Sequence, residues 1–395
     1  MPAEEPDVTE DVRDGPPPPL EGFAPLAVWL ETGYDGGRIA AWVPDVPGVL
    51  AVAATRERAL SAALTATARV RDWLEAHGEE AGIPRIWRAE AAGEVAAVME
   101  PGGYEVNATL PPDLRRVTQE EASTAIRRLG WAREDLFAMV DRLDTLEAGH
   151  GSLPADATRG ERTGEAVLRH IAGAEVWLVG RLPGGGRYEG ALDGVPVREA
   201  LVASRAWVIA RLRALGLADD GAETPDRHGE TWTLAKVLRR LQAHGFDHAW
   251  ELERRLVRAE GTADRVTVVT GRVPETGEVV GLLRSVGWDL RASEPASLAR
   301  ALAGTTEFAT AWDGGRLIGT ARSITDGGQN ALIATVVVHP AYQGLGVGER
   351  LMHALMDGRD LVRFSLAAAP GLEPWYGKLG FLPDSHAMFR PRRRH

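Results

Sequence analysis

Two groups of residues in this sequence combine types and spacings that could do chemistry. The first is Gln343-Gly344-Leu345-Gly346-Val347-Gly348. An apolar, β-branched run ends just before it at Val338, Pro340 stops that run, and an amphipathic stretch, Glu349–Met356, follows. A strand, a glycine turn and a helix start together make an anion site. Glycines let backbone N–H groups approach closely, and the helix dipole favours phosphate. No Gly-Lys-Ser/Thr is present, so no lysine reaches a terminal phosphate, and no later acidic residue completes a dinucleotide-binding unit. The second group is His170, His244 and His248. Val167, His170, Ile171, Ala174 and Leu178 share one stripe of a predicted helix. Leu234, Leu238, Leu241, His244, His248 and Leu252 share a stripe of another. His244 and His248, at i and i+4, sit one above the other. All three are expected to point inward, where converging neutral imidazoles suit a borderline divalent ion with open positions for water or substrate.

Holding these groups takes several folded units. The chain has 395 residues, enough for two to three domains at roughly 100–200 residues each. With 44% hydrophobic and 26% charged residues it is neither a mostly disordered nor a collagenous or membrane-embedded chain. No uncharged apolar stretch approaches the ~18 residues that span a bilayer, and the N-terminus is acidic rather than a basic leader. The expectation is a cytoplasmic protein without membrane contact. There is no cysteine, which removes disulfides, thiolate metal sites and a thiol nucleophile. Only Lys236 and Lys378 are lysines among 45 basic residues, which nearly excludes Schiff-base chemistry. A net charge of −11 argues against nucleic acid and favours cationic partners.

Composition shifts divide the chain. Residues 1–24 are acidic and proline-rich, a predicted disordered tail. Residues 25–108 read as an α+β unit: strands at Ala27–Thr32, Arg38–Val43 and Val49–Ala53, a helix capped by Thr55 and ending near His77, and a returning strand at Ile83–Ala89. Residues 109–262 carry four long helical periods, Gln119–Leu146, Glu161–Leu182, Arg198–Leu215 and Thr231–Ala259, a predicted four-helix bundle. Residues 263–390 start a third, β-rich unit at Val266, and 391–395 form a basic tail. The predicted class is multidomain α+β.

Three resemblances sharpen these readings. Ala40-Ala41-Trp42-Val43-Pro44-Asp45-Val46-Pro47-Gly48, with Ala53-Ala54-Thr55 and a helix carrying Trp73-Leu74, resembles the HicB-like antitoxin domain, a ββαβ module. No DNA-binding segment follows it, so a repressor role is not implied. Arg169-His170-Ile171-Ala172 with Trp177, and the His244/His248 pair, resemble the DinB-like metalloproteins; that likeness implies Zn, Ni or Fe on His170, His244 and His248. In the third unit the Gln343–Gly348 turn is joined by Phe364-Ser365-Leu366 and by Pro374-Trp375-Tyr376-Gly377-Lys378-Leu379-Gly380-Phe381. Upstream stand Val280–Trp288 and the hairpin Arg316–Arg322. In this order they resemble the GNAT acetyltransferases, with a mixed, mostly antiparallel sheet.

The GNAT resemblance implies acetyl-CoA as cosubstrate, its pyrophosphate on Gln343, Gly344, Leu345, Gly346, Val347 and Gly348. The pantetheine arm would lie along the backbone of Val336, Val337 and Val338, and Tyr376 would protonate the departing thiolate. Aromatic packing is the other reading of Tyr376. Ala334-Thr335 stand where related sequences often have an acidic residue, which leaves a water chain, His339 or a distant carboxylate as the base. The implied acceptor is a small-molecule or peptide amine, with its pocket around 282–300 and 367–374. A homodimer stays open. Two other readings stand beside this one: a metal-dependent thiol transferase with an acyl-CoA-sensing domain, and a non-enzymatic interaction protein of antitoxin ancestry.

Overall fold

The computed structural model of the chain describes residues 23–150 save 81, 84, 101, 102 and 104, then 162–216, 224–225, 229–260, 265–369 and 371–384. The acidic tail lies outside the described residues except at its end, because the first strand begins at Phe23 rather than after residue 25. The basic tail at 391–395 also lies outside them.

In the first unit β1 (Phe23–Gly33), β2 (Arg38–Trp42), β3 (Leu50–Ala53) and β4 (Arg85–Ala96) form one sheet in the order β3-β2-β1-β4. β1 runs parallel to β4 and antiparallel to β2. Alternate residues Leu26, Val28 and Leu30 turn to the covered face, as period-two patterning requires. Helix α1 (Arg56–Ala76) closes that face with Ala59, Ala63, Ala66, Val70 and Leu74. Its start is fixed by the Thr55 side chain, which accepts a hydrogen bond from Arg58 N at 3.3 Å.

The second unit is helical: α2 (Gln119–His150), α3 (Gly164–Gly180), α4 (Val197–Gly216) and α5 (Leu234–Ala259). α2 and α3 each pack against both α4 and α5 around a shared interior. Thr163 and Thr233 cap α3 and α5 by accepting from Ala166 N and Lys236 N. The interior is not wholly apolar. Glu175, 1% exposed, accepts from Arg133 at 2.7 Å and from Arg205, and both arginines also donate to backbone carbonyls.

The third unit holds β5 (Val266–Thr270), α6 (Thr276–Ser285), β6 (Glu307–Asp313), β7 (Arg316–Thr325), β8 (Asn330–Val338), α7 (Val347–Met356), β9 (Arg363–Leu366) and α8 (Glu373–Lys378). The sheet order is β9-β8-β7-β6-β5, antiparallel throughout except for the β8–β9 pair. Phe308, Trp312 and Val337 face α6, whereas Ala309, Ala311 and Ile318 face α7.

The units are tied together by specific contacts. Arg71 of α1 donates to Asp289 at 2.7 and 3.1 Å, and Ile86 N donates to the same carboxylate at 3.2 Å. The Thr65 hydroxyl donates to Val286 O at 3.2 Å. Gly287, at φ +74°, lies so close to α1 that a Cβ there would sit 2.6 Å from Leu64 O. Arg69 pairs with Glu253 of α5 at 2.7 Å and stacks on Trp250. The start of the glycine turn, Pro340–Tyr342, packs against α5.

Candidate functional site

β8 pairs with β9 only from Asn330↔Arg363 to Ile333↔Leu366. Beyond Ile333 it has no neighbour on that side, while Thr335–Val338 still pair with β7. The two strands therefore part, and among the described residues the outward backbone groups of Ala334–Val337 have no strand partner, an edge an added strand could use. Ala334 is the extra residue of a bulge, since Arg322 opposes Thr335 and Ser323 opposes Ile333. Nothing local in the sequence marks that bulge.

The turn after β8 closes the parted strands. The Gln343 amide donates to Val338 O at 2.9 Å. Gly344 and Gly346 have φ of +77° and +74°, which side chains disfavour, and Gly346 caps α7. The first N–H groups of α7 have no partner within the helix. Gly348 lies against Trp375, where a Cβ would meet the indole at 3.2 Å. Of the nine predicted donor-binding residues all but Leu345 line one cleft. The Leu345 side chain instead packs into the core with Val347 and Leu351.

Tyr376 lines that cleft as well. Its ring meets Trp375 edge-on at 4.7 Å and Phe381 at 5.8 Å, so it is packed and facing the cleft at once. Burial raises its pKa, which keeps the phenol protonated. His339 is different. Its Nε2 lies 3.0 Å from Arg316, and burial with Arg316 and Arg69 nearby holds its pKa at about 4. It is a neutral, engaged imidazole at a strand end.

His170, His244 and His248 come together as their spacing predicts. Their ring centroids are 4.5–4.9 Å apart, and one ligating nitrogen from each lies within 4.8 Å of the others. Burial is the first cause that depresses the pKa of His170, to about 4, and of His244. Arg162 adds to it for both. His170 and His244 are therefore neutral. Only one part of the expectation fails: His170 is exposed rather than buried, and only His248 is fully enclosed. A hydrophobic stripe gives a helix face, not whether another element covers it, and here the face of α3 opens at His170. His248 Nδ1 donates to Glu251 at 2.9 Å, which fixes its tautomer and leaves Nε2 for the cluster. Glu251 was not singled out in the sequence, although His-x-x-Glu after the histidine pair was there to be read.

The two sites share that cleft, which measures about 1960 Å³. Val336–Val338, the glycine turn and Tyr376 line one part of it, and the three histidines another. Trp288 and Trp375 also line it. Sequence reasoning missed that the first unit contributes a wall, through residues of α1 between Arg58 and Arg69.

Residues 285–390 match the family model for the acetyltransferase (GNAT) domain. An uncharacterized N-acetyltransferase, ycf52, from Porphyra purpurea is 43% identical over 72 residues, covering 18% of this chain and 41% of that protein. GCN5-related N-acetyltransferase 2, chloroplastic, from Arabidopsis thaliana is 32% identical over 153 residues, covering 33% of this chain and 58% of that protein. The chain thus spans about half the length of these relatives. A GNAT-family acetyltransferase structure from Streptococcus pneumoniae TIGR4 aligns with 24% identity and a TM-score of 0.29, over 33% of this chain and 99% of that one.

Proposed function

We propose that the GNAT acetyltransferase domain of this chain moves an acetyl group from acetyl-CoA directly to the nitrogen of a small-molecule or peptide amine. The observation that carries this reading is the parting of β8 from β9 above a glycine turn at a helix N-terminus. The N–H groups of α7 and the turn bind the pyrophosphate, and the free edge of Val336–Val338 pairs with the pantetheine arm. A backbone N–H of that edge stabilises the oxyanion as the neutral amine attacks the thioester carbonyl. The C–S bond then breaks, Tyr376 delivers its phenolic proton to the leaving thiolate, and the proton shed by the attacking nitrogen leaves through water and restores the phenol. With no cysteine in the chain there is no acyl-thiol intermediate to form. Calorimetric titration with acetyl-CoA, followed by thiol release on an amine panel, tests the reading. Absence of acetyl-CoA binding removes it.

In the same reading the first two units are a HicB-like module and a DinB-like bundle. The three gathered imidazoles and the Glu251-fixed tautomer fit a divalent ion, so His170, His244 and His248 would hold Zn, Ni or Fe. Such an ion supplies Lewis acidity. Metal analysis of the purified protein, with about one equivalent expected, tests this. The shared cleft favours one alternative, in which the bundle carries a transferase reaction and the last unit senses acyl-CoA. Separate His244→Ala and Tyr376→Phe variants, assayed for both activities, tell the two apart.

A further inference from the structure

We propose that the acceptor is a small amine that also bears a carboxylate or phosphate, and that α1 of the first unit is the wall that selects it, with Arg58 as the anchor for its anionic group. This deepens the acetyltransferase reading and rests on it.

Arg58, Ser61, Ala62, Thr65, Ala66 and Arg69 all line the cleft that holds Val336–Val338 and Tyr376. Their spacing of three and four residues is a single face of α1. The adjoining face, with Ala59, Ala63 and Val70, is spent on the first unit's own core, and Ala66 stands at the border of the two. The cleft face is seated on the loops where an acceptor pocket was expected. Thr65 bonds Val286 O, and the Arg58 side-chain stem lies against Gly371, where a Cβ would be 2.0 Å from Arg58 Cγ. Gly371 begins the turn that leads into Trp375 and Tyr376. A helix laid across these loops puts side chains of the first unit beside the acceptor end of the cleft.

The charge of the cleft runs against the charge of the chain. The protein carries −11, yet among the described residues seven basic side chains line the cleft against three acidic ones. Arg69 is engaged by Glu253, and Arg240 donates to Asn107 and stacks on Trp42. Arg58 has no acidic partner among the described residues. Its stem is pinned at Gly371 and its guanidinium is left unpaired, so the planar fork of donors is available to an oxyanion. The sequence-based leaning towards a cationic partner is reversed at this spot: the acceptor brings a nucleophilic amine at one end and an anion at the other. Acetyl-CoA carries phosphates too, so the test must separate donor from acceptor.

Initial rates of the full chain are measured with matched acceptors, an α-amino acid against its carboxamide and an amino-sugar phosphate against the free amino sugar. At least one acidic member is expected to show a kcat/KM about ten-fold or more above its neutral partner. Arg58→Gln should raise KM for that acceptor about ten-fold while leaving kcat and the acetyl-CoA Kd unchanged, and Arg58→Lys should recover part of the loss. Equal rates for acid and neutral members overturn the proposal, as does better turnover of a lysine-containing peptide. A weaker acetyl-CoA Kd in Arg58→Gln with acceptor KM unchanged also overturns it, and assigns the arginine to the donor phosphates. A wild-type chain that fails to bind acetyl-CoA at all instead defeats the underlying acetyltransferase reading.

Discussion

Helix α3 carries two polar groups with opposite fates. Glu175 is enclosed and meets two guanidiniums, each of which also donates to one backbone carbonyl. His170, five residues earlier, is exposed to the cleft and meets the rings of His244 and His248. A buried carboxylate with all its partners supplied from within the fold belongs to the fold. A cluster of imidazoles whose own contacts are one His170–His244 hydrogen bond at 3.0 Å and the His248–Glu251 bond, and which opens on the cleft, can still take something from outside. Both are unusual in a helical interior, and partner supply tells them apart.

That contrast can be broken at several points. The largest effect is expected at Glu175. Glu175→Gln leaves Arg133 and Arg205 facing each other uncompensated, and urea unfolding should show a loss of about 3–5 kcal/mol. A loss below about 1 kcal/mol would place Glu175 outside the structural class. His248→Ala should do the reverse. Metal content should fall from about one equivalent to a trace, an affinity loss of about a hundred-fold or more, while metal-free stability changes by about 1 kcal/mol or less. Tyr376 extends the contrast to the acetyl site, because its hydroxyl has no hydrogen-bond partner among the described residues. Tyr376→Phe should lower kcat about a hundred-fold with the acetyl-CoA Kd and the unfolding midpoint unchanged. A phenol that mattered only for packing would leave kcat where it was. The smallest effect is expected at Glu251, which holds a ligand rather than being one. Glu251→Gln should weaken metal binding by about 10–100-fold in a competitive chelator titration without abolishing it.

How much of this was legible in the sequence depended on how local each signal is. The glycine turn was readable because Gln343 to Gly348 are contiguous and their backbone geometry follows from residue type. The pairing of His244 with His248 was readable because helical period alone brings them together. The helix cap at Thr55 was equally local, whereas the caps at Thr163 and Thr233 were passed over and those helices were expected to start two residues ahead of them. The exposure of His170 was misjudged, since a stripe says nothing about what covers it. The bulge at Ala334 left no trace, because bulges are decided by the register of the neighbouring strand. The basic cleft was hidden for a related reason. Its arginines come from the first two units and Lys378 from the third, and net charge averages them with acids that face elsewhere.

One small feature sets how the units can be taken apart. The backbone of Gly287 occupies space that a methyl group would have to share with Leu64 O, next to the Asp289 carboxylate that holds both Arg71 and Ile86 N. That seam works like a dovetail joint: a side chain at 287 is a wedge, and a cut upstream of β5 strips a carboxylate of its guanidinium and its amide in one stroke. The third unit expressed alone would expose a face shaped for α1. Any excised catalytic fragment would therefore need a redesigned surface around residues 286–289 before its behaviour could stand for that of the whole chain.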